Sequence, residues 1–178
     1  MSLIALPLAA LLALTPEAPA DAVFETVDPE YEACVAGLEA DPEAARRRAE
    51  TWLSAGGGPA ALHCQAMGDL AAGDPGLAAF RLEELAARTD AGDALVKARL
   101  LSQAALAWIE AEHPHNAAKA IGRALELVPE GGELRLVEAQ ALVANQQHQA
   151  AIAAVDAAAA DGYESAPGYV ARARARIA

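Results

Sequence analysis

Residues 98–131 have the sequence ARLLSQAALAWIEAEHPHNAAKAIGRALELVPEG, and residues 132–165 have the sequence GELRLVEAQALVANQQHQAAIAAVDAAAADGYES. When the two segments are aligned at an offset of 34 residues, a small residue recurs at Ala105 and Ala139. A period of this length is typical of stacked helical hairpins, because a single hairpin buries its apolar faces only against a neighbour. The period therefore predicts the architecture before any local motif is considered.

Each copy is predicted to form two helices joined by a turn. In the first copy the helices cover residues 98–111 and 116–127, and Pro129 ends the second of them. Ala105 and Ala117 fall where the two helices cross, since a methyl group lets the backbones approach closely. The larger apolar residues are expected to fill the layers on either side of that crossing.

The spacing of small and bulky residues resembles that of the tetratricopeptide-repeat family. Two departures stand out: the second copy lacks the terminating proline, and Ala104 and Glu138 occupy a position where the family usually has leucine. The matching residues are Ala105, Trp108, Ala117, Ile121, Ala124 and Pro129 in the first copy and Ala139, Leu142, Ala151, Val155 and Ala158 in the second.

Two earlier units follow the same pattern more loosely. The pairs Asp41-Pro42 and Asp74-Pro75 suit helix starts, because an aspartate caps a backbone N–H and proline is tolerated in the first turn. The middle step between units is longer and places a loop around residues 89–93. The second helices of the units are anchored by Ala45, Ala78, Ala117 and Ala151, which are 33, 39 and 34 residues apart.

The predicted fold class is therefore all-α. We expect an α-solenoid of stacked antiparallel helical hairpins over residues 21–178, with about four tetratricopeptide-like repeats over residues 28–165. Residues 167–178 are expected to form a C-terminal capping helix. No stretch alternates apolar and polar residues over a useful length, so no sheet is predicted.

Residues 1–20 are predicted to be a signal peptide. Residues 3–14 are an apolar run of 12 residues, which is shorter than the roughly 20 residues that span a bilayer and suits a signal-peptide core. Ala18-Pro19-Ala20 then offers a small-x-small cleavage pattern. We expect a periplasmic or secreted mature chain without a membrane span; a short buried helix and an uncleaved anchor are the alternatives.

Cys34 and Cys64 are the only cysteines of the chain. An even cysteine count in an exported protein favours a disulfide. In the repeat register both residues fall on first helices of neighbouring units, and such helices stack side by side. A structural disulfide is therefore predicted, with two buried thiols or a redox-active pair as the alternatives.

The net charge of −12 argues against binding to nucleic acid, which needs clustered Lys and Arg side chains, and disfavours anionic membranes. The run Arg46-Arg47-Arg48 is expected to be a solvated helix face; a site for an anionic partner is the alternative. Hydrolase, metalloprotease, phosphate-loop and dinucleotide motifs are missing from the sequence. We therefore expect a protein that is not an enzyme and needs no cofactor.

Three histidines fall in turns that the repeat register stacks at one edge of the solenoid. His113 and His115 lie in one turn, and His148 lies in the matching turn of the next unit. Imidazoles gathered in this way could bind Zn²⁺ or Cu²⁺, although turns also accept histidine simply as a polar residue. Our first expectation is that no metal is bound; the alternative function is an exported metal- or ligand-binding protein that uses this edge.

The family resemblance also implies a binding surface. In the family, fixed positions of each first helix line a concave groove that binds a peptide or protein segment. We therefore expect a non-catalytic interaction module or scaffold whose partner is a protein or peptide that the sequence does not identify. The groove residues carried over to this chain are His63, Met67, Leu70, Arg99, Ser102, Leu106, Ile109, Glu110, Leu136, Gln140 and Val143.

Overall fold

A computed structural model describes residues 28–163 and residue 176, and all regular secondary structure in this part of the chain is helical. The prediction of an all-α protein is confirmed for these residues. The helices are α1 (Pro29–Gly37), α2 (Pro42–Ser54), α3 (Gly58–Ala71), α4 (Pro75–Ala87), α5 (Ala94–Glu110), α6 (Pro114–Leu127), α7 (Gly132–Ala144) and α8 (His148–Ala160).

Every helix packs against the helix that follows it in the chain. Because most connections are only three to four residues long, consecutive helices form hairpins. Two next-but-one pairs, α1 with α3 and α5 with α7, also pack against each other. These contacts join first helices of neighbouring units, as the sequence alignment assigns them.

The predicted signal peptide (1–20) and, apart from Arg176, the predicted capping helix (167–178) lie outside the described residues. Within the described ranges, no helix combines the length and the apolarity needed to cross a membrane.

Three helices, α1, α2 and α5, begin at an aspartate whose side chain caps the helix: Asp28, Asp41 and Asp93. The carboxylate of Asp41 accepts a hydrogen bond of 2.9 Å from the backbone N–H of Ala44, as predicted. Helix α4 also begins as predicted, at Pro75 after Asp74, but the predicted capping bond is absent: the Asp74 side chain lies 4.0 Å from the guanidinium of Arg46 instead. The carboxylate that was predicted to cap α4 therefore lies near an arginine of another helix.

Two helices start earlier than the sequence analysis placed them. Helix α5 begins at Ala94 instead of residue 98, because Asp93 accepts a hydrogen bond of 3.0 Å from the backbone N–H of Val96 and starts the helix there. Helix α6 begins at Pro114 instead of residue 116, since proline fits the first helical position without losing a hydrogen bond. The long connection predicted around residues 89–93 separates α4 from α5.

The turns after α3, α5 and α7 have the same backbone geometry. Gly73, Glu112 and Gln146 each adopt a positive φ, of +89°, +60° and +62°. In each turn the next residue donates its N–H to a carbonyl five positions earlier, at 2.8–2.9 Å. This is the Schellman arrangement that closes helix C-termini, and the positive-φ residues repeat at the offsets of 39 and 34 residues that the alanine anchors predicted.

The core is built largely from alanine. Ala105, Ala117, Ala139 and Ala151, which were predicted to lie at helix crossings, are all fully buried. The main cluster of buried apolar side chains extends from α3 to α7, and a second cluster joins α7 to α8. Small side chains at these contacts allow short distances between helix axes, so the predicted crossing positions agree with the burial observed.

Candidate functional site

The predicted groove residues fall into three groups by exposure. Leu106, Arg99 and Glu110 are exposed along α5. His63, Ser102 and Leu136 are buried, so they do not present a surface to a partner in this conformation. The half-buried members are Met67, Leu70, Ile109, Gln140 and Val143.

The exposed face of α5 is the clearest part of this surface. Leu95 and Leu106 are 48% and 41% exposed, and Arg99 lies between them in the helix. Residues 95, 99, 106 and 110 follow helical spacing and therefore share one side of α5. The face thus carries two exposed leucines, one cation near its middle and one carboxylate at its end.

Leu95 was missed by sequence reasoning. It lies four residues before Arg99, on the same face of the helix but ahead of the first groove position that the family spacing defines. The helix was predicted to begin at residue 98, which left Leu95 in the loop. The cap formed by Asp93 is the signal that would have corrected this start.

Three apolar residues of the predicted groove, Leu106, Ile109 and Val143, have different surroundings. Ile109 packs against the main core cluster, and Val143 packs against the cluster between α7 and α8. Of the three, only Leu106 is counted among the exposed large apolar residues. The exposed apolar surface is therefore smaller than the groove that the family spacing predicts, because Ile109 and Val143 pack against the core.

A buried polar chain crosses the first helices of three units. The hydroxyl of Tyr31 in α1 lies 2.9 Å from Nδ1 of His63 in α3, and Nε2 of His63 lies 2.8 Å from Oε1 of Gln103 in α5. Because a carbonyl oxygen only accepts, Nε2 carries the proton, and in the neutral imidazole Nδ1 then accepts from the tyrosine hydroxyl. His63 was predicted to line the groove, but it is 1% exposed, so in this conformation it is a packing residue.

The two cysteines meet next to this chain. The structure pairs Cys34 of α1 with Cys64 of α3 as a disulfide, with 6.3 Å between their Cα atoms, and both side chains are fully buried. That Cα separation lies within the range that disulfides adopt. The predicted placement on neighbouring first helices brings the sulfur atoms together.

A buried carboxylate that the sequence analysis did not single out links three helices. Asp69 of α3 is fully buried, and its two carboxylate oxygens lie 2.7 Å from Nε of Arg81 in α4 and 3.6 Å from the guanidinium of Arg46 in α2. Burial raises the pKa of Asp69, while Arg81 and Arg46 act to lower it. Nothing in the local sequence distinguishes Asp69 from a surface carboxylate, since both arginines come from other helices.

The basic run of α2 is occupied by ion pairs within the chain. Arg46 pairs with Glu43 as well as with Asp69, and Arg48 pairs with Glu30 of α1 at 2.9 Å. Arg47 lies 3.9 Å from Glu43. The pairs with Glu43 and Glu30 are about half exposed, so each contributes little to stability. All of the pairs together reduce the positive charge that the run offers to an anionic partner.

The histidine turns are adjacent, but they do not form a cluster of ligands. The side-chain amide of Asn145 donates a hydrogen bond of 2.7 Å to the carbonyl of Pro114, which joins the turn of His148 to that of His113. His113 is exposed and packs edge-on against Trp108. Among the described residues, no group of three or more His, Cys, Asp or Glu side chains is arranged to hold a metal ion.

An open cavity of about 700 Å³ lies beside this turn. Its lining includes Gln146, His148, Ile152 and Arg176. Nδ1 of His148 is buried without a hydrogen-bond partner.

Comparisons with protein-family models, with curated proteins and with solved structures find no match to this chain. The resemblance to tetratricopeptide repeats consequently rests on the residues themselves. Any assignment of function has to come from the exposed faces and buried links described above.

Proposed function

We propose that this chain is a tetratricopeptide-like α-solenoid that acts as a non-catalytic interaction module, binding a protein or peptide segment along α5 and its neighbouring first helices α3 and α7. The equivalent turns at Gly73, Glu112 and Gln146 support a repeated hairpin unit. The packing of α1 on α3 and of α5 on α7 supports stacking of the first helices.

The exposed face of α5 carries the proposal. Exposed apolar side chains that lie along one helix face can serve as contact points for a bound segment. Leu95 and Leu106 provide two apolar anchor points, and Arg99 between them provides a partner for an acidic or hydrogen-bonding group. A helical or extended segment with apolar residues spaced along one side would match this arrangement.

The proposed compartment is the periplasm or another oxidising environment. Disulfides form and persist in such compartments and are rare in the cytosol. The pairing of Cys34 with Cys64 fits this environment, and the apolar run and cleavage pattern in residues 1–20 would direct the chain there.

Site-specific photo-cross-linking tests the proposed face. A photoreactive phenylalanine analogue at position 106 should form a discrete adduct in cells. Co-expression of the Leu106→Glu variant should not reduce this adduct, because the variant should not bind the partner. Leu127 on α6 is the matched control, since it is 40% exposed against 41% for Leu106 but lies on a second helix. Adducts that form equally at positions 106 and 127, or only at 127, would reject α5 as the binding face.

A further inference from the structure

Helix α1 is attached to the rest of the protein mainly through two side chains. Tyr31 and Cys34 are its only buried residues, and both reach α3: Tyr31 bonds to His63, and Cys34 pairs with Cys64. The remaining residues of α1 are exposed or half-buried. The covalent link and the buried hydrogen bond to α3, together with packing of Cys34 against Ala45 and Ala49 of α2, hold this helix in place.

Little else would keep α1 docked. It has nine residues, fewer than the roughly 12 to 15 that an isolated helix needs to be even marginally stable in water. Its ion pair between Glu30 and Arg48 is about half exposed on both sides and so contributes little. Helix α2, in contrast, has its own attachment to α3 through Arg46 and the buried Asp69.

Docking of α1 determines whether His63 is accessible. The family spacing places His63 on the binding face of α3, yet the imidazole is 1% exposed because Tyr31 covers one nitrogen and Gln103 the other. Removal of α1 would uncover Nδ1 of His63 together with the sulfur of Cys64. The surface beneath α1 is thus a continuation of the proposed binding face.

We propose that α1 is a redox-latched lid: the Cys34–Cys64 disulfide holds it over His63, and reduction of the disulfide lets it open. The uncovered stretch of α3 then extends the binding face beyond α5. The role of that stretch rests on the proposed function, but the opening itself can be measured without any partner.

The reduction that opens the latch is ordinary thiol–disulfide exchange with a dithiol reductant. One thiolate of the reductant attacks a sulfur of the Cys34–Cys64 bond and forms a mixed disulfide, and the other cysteine leaves as a thiolate that takes up a proton. The second thiol of the reductant then attacks its own sulfur in the mixed disulfide, and the remaining protein cysteine leaves as a thiolate that takes up a proton. The products are two cysteine thiols and the reductant as its own disulfide. Because both sulfurs are fully buried, the attack follows a fluctuation of α1 that exposes them.

Hydrogen exchange and histidine labelling of the full chain test the lid. After reduction with a dithiol, amides of residues 29–37 should exchange at least tenfold faster, while those of α5 and α6 stay unchanged. Labelling of His63 by diethyl pyrocarbonate should rise at least fivefold on reduction. His113, which is exposed in either state, serves as the internal reference.

Two sets of variants separate a lid from a structural staple. The double variant Cys34→Ser, Cys64→Ser should show the open pattern without reductant. In the reduced protein, Tyr31→Phe should open α1 further, whereas Tyr163→Phe, on an exposed tyrosine, should not.

Unchanged exchange of residues 29–37 on reduction overturns the proposal, because packing alone would then hold α1. Simultaneous loss of protection across α1 to α4, or global unfolding, overturns it as well, because the disulfide would then be a staple of the whole segment. Either result leaves cross-linking at position 106 interpretable, so failure of the lid and failure of the binding face are distinguishable.

Discussion

Two residues in the turns between paired helices adopt a conformation that their side chains disfavour. Glu112 and Gln146 have φ values of +60° and +62°, and at the equivalent position of the preceding unit the chain has Gly73. A residue with a Cβ atom loses about 1 kcal/mol or more in this region relative to glycine. The turn geometry is thus common to the three units, but only one of them has the residue that suits it.

We expect Glu112→Gly to raise the free energy of unfolding by about 0.5 to 1 kcal/mol, because relief of the strained φ outweighs the added flexibility of the unfolded chain. Urea denaturation followed by circular dichroism gives the value. Glu110→Gly is the control: this residue lies in the last turn of α5, where glycine should cost about 0.5 to 1 kcal/mol. Equal destabilisation by both changes would show that Glu112 is not strained.

Leu106, which is exposed on α5, and Ile109, which packs on the core, should respond differently to replacement by glutamate. Leu106→Glu should lower the free energy of unfolding by less than about 0.5 kcal/mol, because the side chain is already exposed. Ile109→Glu should lower it by about 1 to 3 kcal/mol, because a carboxylate would replace a side chain that packs on the main core. Thermal or urea unfolding of the two variants decides the point, and similar losses would mean that Leu106 belongs to the core.

At the scale of helices, the sequence predicted most of what local chemistry controls. Alanine spacing identified the crossing positions, and Asp41-Pro42 identified a helix start, because each signal lies within one or two turns of chain. The start of α5 was placed late since Asp93 was counted as part of a loop. The cap at Asp74 was wrong because Arg46, on another helix, lies near the carboxylate.

The candidate site was less predictable than the helices. Family spacing selected Leu106 and Arg99, which are exposed, but it also selected His63, which is buried. It gave no indication of Asp69, because the arginines that pair with this residue lie 23 positions before it and 12 after it in the chain. Contacts between distant segments determine burial, and a repeat pattern does not encode them.

The ion cluster that joins α2, α3 and α4 should make stability depend on pH. Burial raises the pKa of Asp69 in the folded state above its unfolded value, so the unfolded state releases this proton at lower pH. The contribution of Asp69 to the free energy of unfolding is therefore greatest at pH values below its unfolded pKa. It declines as the pH rises through its folded pKa. Arg81 and Arg46 limit the size of this decline.

We therefore expect Asp69→Asn to be less destabilising, relative to the wild type, at pH 7 than near pH 4. Urea denaturation of both proteins over this range measures the difference, and the subtraction cancels groups that both share, including Glu138, whose pKa burial also raises. A difference that grows with pH would indicate instead that Arg81 and Arg46 lower the pKa of Asp69 overall.

For the molecule as a whole, stability is distributed over neighbouring contacts. The main cluster, the α7–α8 cluster and the small cluster of Cys34, Ala45, Ala49 and Cys64 are separate sets of buried side chains. An array of this kind loses structure from a weakly attached unit before it unfolds globally. Helix α1 has two buried side chains, as α2 does, but with nine residues it is the shortest of the described helices, and we expect it to be the most weakly attached.

This distribution predicts how much the disulfide contributes to global stability. A bond that closes a 30-residue separation restricts the unfolded chain by about 3 to 4 kcal/mol in the chain-entropy model. That figure assumes that the native state is equally ordered with and without the bond. If α1 is mostly open once the bond is absent, with about ten open molecules for every closed one, the native state regains roughly 1.4 kcal/mol of this freedom. We therefore expect Cys34→Ser, Cys64→Ser to lower the free energy of unfolding by only about 2 kcal/mol.

Urea denaturation of the oxidised wild type and of the double-serine variant gives this difference. Alkylation of the wild type without reductant, which should label neither cysteine, verifies that the bond is present. Adding a dithiol should bring the wild type to the stability of the variant, because both chains then lack the cross-link. A loss of the full 3 to 4 kcal/mol would mean that α1 stays docked after the bond is broken, since only an equally ordered native state leaves the whole entropic cost in the unfolded chain.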